Sequence, residues 1–236
     1  MIGATHERSQ TMTTMERMEY EACNPADVCM EHFNLGASIP YGVTPENVCA
    51  AMNDFISFIR AVNMRLYESG MPRFESMLMP ANFSSIVGEF MTVSIPKYCS
   101  GVVKNRFHNG HPDMLPSGCF AGDAVQYAHV GIEVKASRYL KNWQGHNPEN
   151  IWLLVFMFDS SRPSDHDKGI PPKPFRFLKV AGAQLEESDW KFAGRSATSR
   201  RTITASVTET GYQKIMANWI YEAPAIKSGR AGAHVP

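Results

Sequence analysis

Two short stretches, Gly110-His111-Pro112-Asp113 and Gly131-Ile132-Glu133-Val134-Lys135, decide how this chain is read. In an extended strand alternate side chains share a face, so Glu133 and Lys135 point one way while Val134 points into the core. One face then carries an acid and a base. If the run that Asp113 opens pairs as a hairpin with the run ending at Lys135, the Asp113 carboxylate lies beside that of Glu133. Two carboxylates at that range repel unless a positive charge sits between them, and a hard divalent cation with oxygen ligands is the usual solution. Mg²⁺ suits the pair better than Zn²⁺, because no His or Cys cluster in the sequence has tetrahedral ligand spacing. Lys135 then stands next to the ion, where its ammonium can orient or help deprotonate a water for attack on phosphorus.

Pro-Asp, a spacer, then Glu-x-Lys resembles the signature of the PD-(D/E)XK nucleases, here as Pro112-Asp113 with Glu133-Val134-Lys135. The match covers about residues 110–136. The resemblance implies an α/β (α+β) fold, restriction-endonuclease-like, with a mixed central β-sheet flanked by helices. It implies a Mg²⁺-dependent phosphodiesterase, and many members of the family are Type II restriction endonucleases. It assigns Asp113 and Glu133 as metal ligands, the Val134 backbone carbonyl as a further ligand, and Lys135 as the catalytic lysine. It also points to a glutamate on a helix before the hairpin as an additional ligand, for which Glu89 is the candidate. An acid inside the apolar run Ile86–Phe90 is costly to bury unless paired or metal-linked; the alternative is that Glu89 faces water beside Ser85. Asp123 rivals Asp113 as the upstream acid.

The 236 residues are enough for one sizeable core, and 44% hydrophobic with 19% charged residues is the composition of a soluble globular protein. Lys plus Arg equals Asp plus Glu at 23 each, so any nucleic-acid contact must come from a local patch and not from net charge. The five cysteines form no paired C-x-x-C spacing and read as reduced thiols of a cytoplasmic protein. No apolar run approaches membrane-spanning length, and the polar first twenty residues contain no signal-like h-region. No Walker loop, dinucleotide fingerprint or nucleophile elbow supports a different enzyme.

Along the chain, residues 1–23 read as an N-terminal arm with a first helix around Met15 to Tyr20, and 24–223 as the nuclease domain. Residues 24–42 read as a connection with one short helical turn. Thr44 as N-cap, Pro45 at the first helical position and the stripe Val48, Met52, Phe55, Ile59, Val62, Leu66 predict a helix ending near Gly70. A second helix is expected over 82–93. Lys104 to His111 forms a basic loop in which Lys104 and Arg106 suit phosphate contacts. His108 and His111 read as ligands, as donors to ligands, or as ordinary loop histidines. Gly118, Gly122 and Asp123 mark the hairpin connection.

Beyond Lys135, Arg138, Gln144, His146 and Asn147 belong to an amide- and base-rich stretch read as DNA-facing. Ile151 to Phe158 is apolar without alternation, as in a central strand covered on both faces. Phe175 to Ala183 alternates like another strand. Gly194 to Thr204 combines Arg195, Arg200 and Arg201 with hydroxyls including Ser199 and Thr202, and reads as the recognition segment, with a solvated basic loop as the competing reading. Thr208 to Tyr221 is expected to close the domain as a helix with Tyr212, Ile215, Met216 and Trp219 on its apolar face. Residues 224–236 read as a flexible tail.

The expected function is therefore Mg²⁺-dependent cleavage of double-stranded DNA at a short specific site by a homodimer, since palindromic sites mirror two-fold symmetry. The class implies a cognate DNA methyltransferase. Two alternatives stand beside it: a structure-specific repair, recombination or phage nuclease of the same fold, and a non-catalytic DNA-binding or assembly protein.

Overall fold

The computed structural model describes residues 12–141, 143–145, 149–192 and 205–225. Its first helix, α1 (Thr14–Ala22), opens with a capping box between Thr13 and Glu16. After a single 3₁₀ turn at Met30–His32, Thr44 caps α2 (Pro45–Glu68), with Pro45 in its first turn and Asn47 closing the box. Val48, Met52, Phe55 and Ile59 on the predicted stripe are buried, while Val62 and Leu66 at its end are half-buried.

A short α3 (Phe74–Met77) leads into α4 (Pro80–Tyr98), which is longer at both ends than the 82–93 expected. Pro80 sits in the first turn, where its missing N–H has no intrahelical partner to lose. Pro96 falls in the last turn, where it removes one ladder bond near an end that frays anyway.

The strands are β1 (Val102–Lys104), β2 (Met114–Pro116), β3 (Ile132–Ser137), β4 (Gln144–Gly145), β5 (Ile151–Asp159), β6 (Arg176–Leu185), β7 (Trp190–Phe192) and β8 (Ala205–Val207), followed by α5 (Glu209–Ala217) and β9 (Trp219–Glu222). Six of them form a mixed sheet in the order β1-β2-β3-β5-β6-β9, in which only β3 and β5 run parallel. The other three make a small antiparallel sheet, β4-β8-β7.

β5 explains the layering. Trp152, Leu154, Phe156 and Phe158 pack with α2 and α4, while Leu153, Val155 and Met157 pack with Trp143, Trp190, Ala205, Val207 and Ile215 on the other face. Both faces are covered, which is why this strand carries no polar alternation. Burying each large apolar side chain contributes about 1.5–3 kcal/mol. A cluster of Phe55, Phe83, Phe158, Phe175 and Phe177 with ring centroids 4.9–6.4 Å apart fills the α2–α4 side.

Two further expectations are corrected here. The strict alternation from Phe175 to Val180 fails at a bulge: Met157 pairs with Lys179 but Phe158 with Phe177. The extra residue puts Phe177 and Val180 in the same core. The closing helix stops at Ala217, and Trp219–Glu222 is a strand on β6, because Asn218 leaves helical geometry and aromatic and β-branched residues follow.

The N-terminal arm is docked through α1. Arg73, 3% exposed, binds Glu19 at 2.8 Å and the fully buried Glu75 at 2.6 Å, and Asn63 holds the other Glu75 oxygen at 2.9 Å. Among the described residues no helix is long and apolar enough to cross a membrane.

Candidate active site

The hairpin forms as its residues suggest. Met114 on β2 faces Ile132 on β3, and continuing that antiparallel register sets Asp113 opposite Glu133. Met114, Ile132 and Val134 join the core on the α2–α4 side. The strand period therefore turns Glu133 and Lys135 to the opposite face.

The approach of the two segments needs a glycine at 131, whose φ is +145°. A Cβ there would lie 2.3 Å from Pro112 Cγ and 2.4 Å from the Met114 carbonyl oxygen. Asn105, just after β1, braces the other side. Its amide donates to the carbonyls of Pro112 (3.0 Å) and Val125 (2.8 Å), its Oδ1 accepts from the N–H of Phe107 (3.0 Å) and Val125 (3.1 Å), and its own N–H reaches the Asp113 carbonyl at 2.9 Å.

The side chains then interlock. Asp113 Oδ2 accepts the Val134 N–H at 2.8 Å. Glu133 Oε1 accepts from Lys135 Nζ at 2.5 Å, and its Oε2 lies 3.1 Å from His111 Nδ1. His111 Nε2 lies 3.2 Å from Glu149 Oε2, and the Tyr127 ring stacks on the imidazole at 5.5 Å.

Burial first, and then the adjacent Glu133 charge, push the Asp113 carboxyl up to about 7. Burial alone would also raise Glu133, but the His111 hydrogen bond and the Lys135 charge override it and hold that carboxyl down at about 2. Burial would lower Lys135 and His111; the carboxylates around them, Glu133 foremost, raise both instead. The pair thus splits into one firmly ionised acid and one that ionises near neutrality.

These groups line a cleft of about 1270 Å³ walled by α4, β1, the 105–111 loop and β3. The β2–β3 ladder is short, so the Val134 N–H turns to Asp113 and not to β5. A strand residue's carbonyl points to the same side as its N–H, which directs the Val134 carbonyl toward Asp113 as well. Among the described residues no group of three or more His, Cys, Asp or Glu side chains is arranged to hold a metal ion. The donors at hand are the two carboxylates and that carbonyl, all hard oxygens.

The chain matches no family model, no curated protein and no solved structure.

Asp113, Glu133, Val134 and Lys135 are brought together as expected, and Lys104 and Arg106 stand on the wall of the same cleft. Asp123 does not line it and sits in a 3₁₀ turn of the hairpin connection. Glu89 lines the cleft but is exposed and ion-paired to Lys104 at 2.8 Å, so of the two readings offered for it the water-facing one describes its place on α4, where it reaches water and a lysine at little desolvation cost.

Arg138 is also corrected. Its Nη1 donates to the Ser160 carbonyl at 3.0 Å and to the Ser160 hydroxyl, and its guanidinium lies over the rings of Phe83 (5.2 Å) and Phe158 (5.1 Å). It packs against the core and is not part of the cleft lining, and its Nε and Nη2 are buried without a hydrogen-bond partner among the described residues. Gln144 is exposed on β4, opposite Ser206 in the small sheet and away from the cleft lining. His146, Asn147, Arg195, Ser199, Arg200, Arg201 and Thr202, with the 194–204 segment, lie outside the described residues.

Sequence reasoning missed Glu149 and Asn105. Glu149 stands two residues before β5, and the parallel pairing of β5 with β3 (Glu133 beside Leu153) brings that end back to the acids. Nothing local announces which strands will be parallel neighbours. A lone Asn in a polar loop likewise gives no sign that it will be buried with its amide fully used.

Proposed function

We propose that this chain is a Mg²⁺-dependent endodeoxyribonuclease of the PD-(D/E)XK kind, cutting double-stranded DNA at a short specific site as a Type II restriction endonuclease does, and acting as a homodimer. The observation that carries the reading is the facing of Asp113 and Glu133 across the antiparallel β2–β3 pair, with Lys135 on the Glu133 carboxylate, inside one polar cleft. A mixed sheet flanked by helices is compatible with the restriction-endonuclease-like fold.

The donor set fits Mg²⁺, which needs no cage of three protein side chains: it keeps several waters and takes one or two carboxylates plus substrate phosphate oxygens. Asp113, Glu133 and the Val134 carbonyl would hold it. When bound, such an ion supplies charge neutralisation at the attacked phosphate and acidifies water.

The chain's own groups supply the rest. Lys135 sets a fixed positive charge beside the acids, where the phosphorane gathers negative charge on its oxygens, and its N–H groups orient water toward phosphorus. Arg106 and Lys104 on the cleft wall bind backbone phosphates and set the register of the strand. Asp113, pushed up to about 7, must release its proton to serve as a ligand. Recognition of a site is supported by the sequence of residues 194–204, where arginines suit guanine edges and hydroxyls suit phosphate oxygens. A cognate DNA methyltransferase follows from the same class.

Incubating the protein with unmethylated phage DNA, with and without Mg²⁺, tests the reading. Discrete fragments that require Mg²⁺ are expected, and Glu133→Gln and Lys135→Ala should each abolish them while retaining DNA binding. A smear or structure-limited cutting would favour a repair or phage nuclease; DNA left intact under both conditions would defeat the assignment.

A further inference from the structure

The Glu133 carboxylate is gripped from both sides. Lys135 takes Oε1, and His111 faces Oε2 at 3.1 Å. His111 is itself fixed more firmly than a loop side chain needs to be. Its backbone N–H donates to the Gln126 carbonyl at 3.0 Å and its carbonyl accepts from Ala128 at 2.9 Å, so the 111 and 127 segments are bridged. Tyr127 covers one face of the ring, with planes 21° apart.

The far nitrogen meets Glu149, a buried side chain. Glu149 is anchored in turn, because its carbonyl accepts the Trp190 indole N–H at 2.9 Å, and Trp190 belongs to the core under the small sheet. A continuous chain of contacts therefore runs from that second core through Glu149 and His111 to one oxygen of Glu133.

We infer that His111 and Glu149 are positioning residues that set the plane of the Glu133 carboxylate for a hard divalent cation, an inference that rests on the nuclease reading above. A glutamate has three freely rotating side-chain torsions, and a single lysine contact leaves the carboxylate able to swing about that contact. A second contact on the other oxygen fixes the plane. Each carboxylate oxygen offers two lone-pair directions, so both oxygens keep one for a ligand after His111 and Lys135 have taken theirs. Partners of this kind orient ligands in metal sites generally, and losing one typically lowers metal affinity or activity roughly 10- to 100-fold.

The test is isothermal titration of MgCl₂ into the full-length wild type, His111→Ala, His111→Asn and Glu149→Gln, each checked for folding by its melting curve. His111→Ala should weaken Mg²⁺ uptake roughly 10- to 100-fold. His111→Asn retains a side-chain N–H near the Nδ1 position and should recover most of the loss; Glu149→Gln should fall between. In DNA cleavage the Ala variant should show the defect in kcat with KM for DNA unchanged, and the Asn variant should recover most of it. Equal uptake by folded His111→Ala and wild type overturns the inference and leaves the nuclease reading standing. Tighter uptake by His111→Ala overturns it too, since the imidazole would then be a competing counter-charge. A wild type that takes up no Mg²⁺ removes both.

Discussion

Replacing Asp113 by Asn isolates the cost of keeping a second carboxylate beside Glu133. Burial and the Glu133 charge push the Asp113 carboxyl from 3.8 to about 7, so the folded protein binds that proton more tightly than the unfolded chain does. The contribution of this group to stability is full below 3.8, falls as pH rises through the interval, and is lost above about 7. At about 1.4 kcal/mol per pH unit the loss amounts to about 4 kcal/mol. Asn does not titrate and keeps an oxygen to accept the Val134 N–H that Asp113 holds at 2.8 Å.

Asp113→Asn is therefore expected to match the wild type in acid and to be the more stable protein above neutrality, by up to about 4 kcal/mol. His111 titrates in both proteins and drops out of the difference to first order. Urea unfolding in EDTA, followed by tryptophan fluorescence between about pH 4 and about pH 9, measures the gap directly. Adding Mg²⁺ should raise the stability of the wild type alone. A variant no more stable than wild type above about pH 7, or a gap that does not change with pH, refutes the reasoning. The site would then hold no excess negative charge for a cation to relieve.

Three further outcomes follow from particular contacts. Arg138→Ala should destabilise the fold by about 2–4 kcal/mol, through the lost Ser160 bonds and the lost stacking on Phe83 and Phe158. The salt dependence of DNA binding should stay unchanged, which a gel-shift series in increasing salt checks. Gly131→Ala forces a Cβ into Pro112 at φ +145° and should cost about 3 kcal/mol or more in chemical denaturation. Asn105→Ala strands the carbonyls of Pro112 and Val125 and should cost about 2–3 kcal/mol; thermal melts should show it together with weakened Mg²⁺ uptake.

The parts of this protein legible in its sequence are those governed by short-range periodicity and caps. The Thr44-Pro45 start and the four-and-three spacing after it specify α2, because capping and one-sided burial are local properties. The apolar run from Ile151 reads as a strand covered on both faces, and it is one. Glu133 and Lys135 share a face by the strand period alone. The failures are equally physical. A one-residue bulge at Leu178 reverses the face of Val180 relative to Phe177, and Trp219 continues an apolar helical spacing although Asn218 has already ended the helix.

Arg138 shows the limit most plainly. Its neighbours in sequence are polar and aromatic, as on a DNA-facing loop, yet its neighbours in space are two phenylalanines and a carbonyl. Glu149 is the converse, a residue silent in sequence that the parallel β3–β5 pairing carries to the acids. Faces and ends of single elements are set by interactions within a few residues, so one chain of letters was enough to place Asp113, Glu133 and Lys135 as candidates for one pocket. Which strands lie side by side is decided by long-range burial, and only that decided the partners around the pair: His111 and Glu149 beside Glu133, Asn105 under the loop, and Arg138 turned inward.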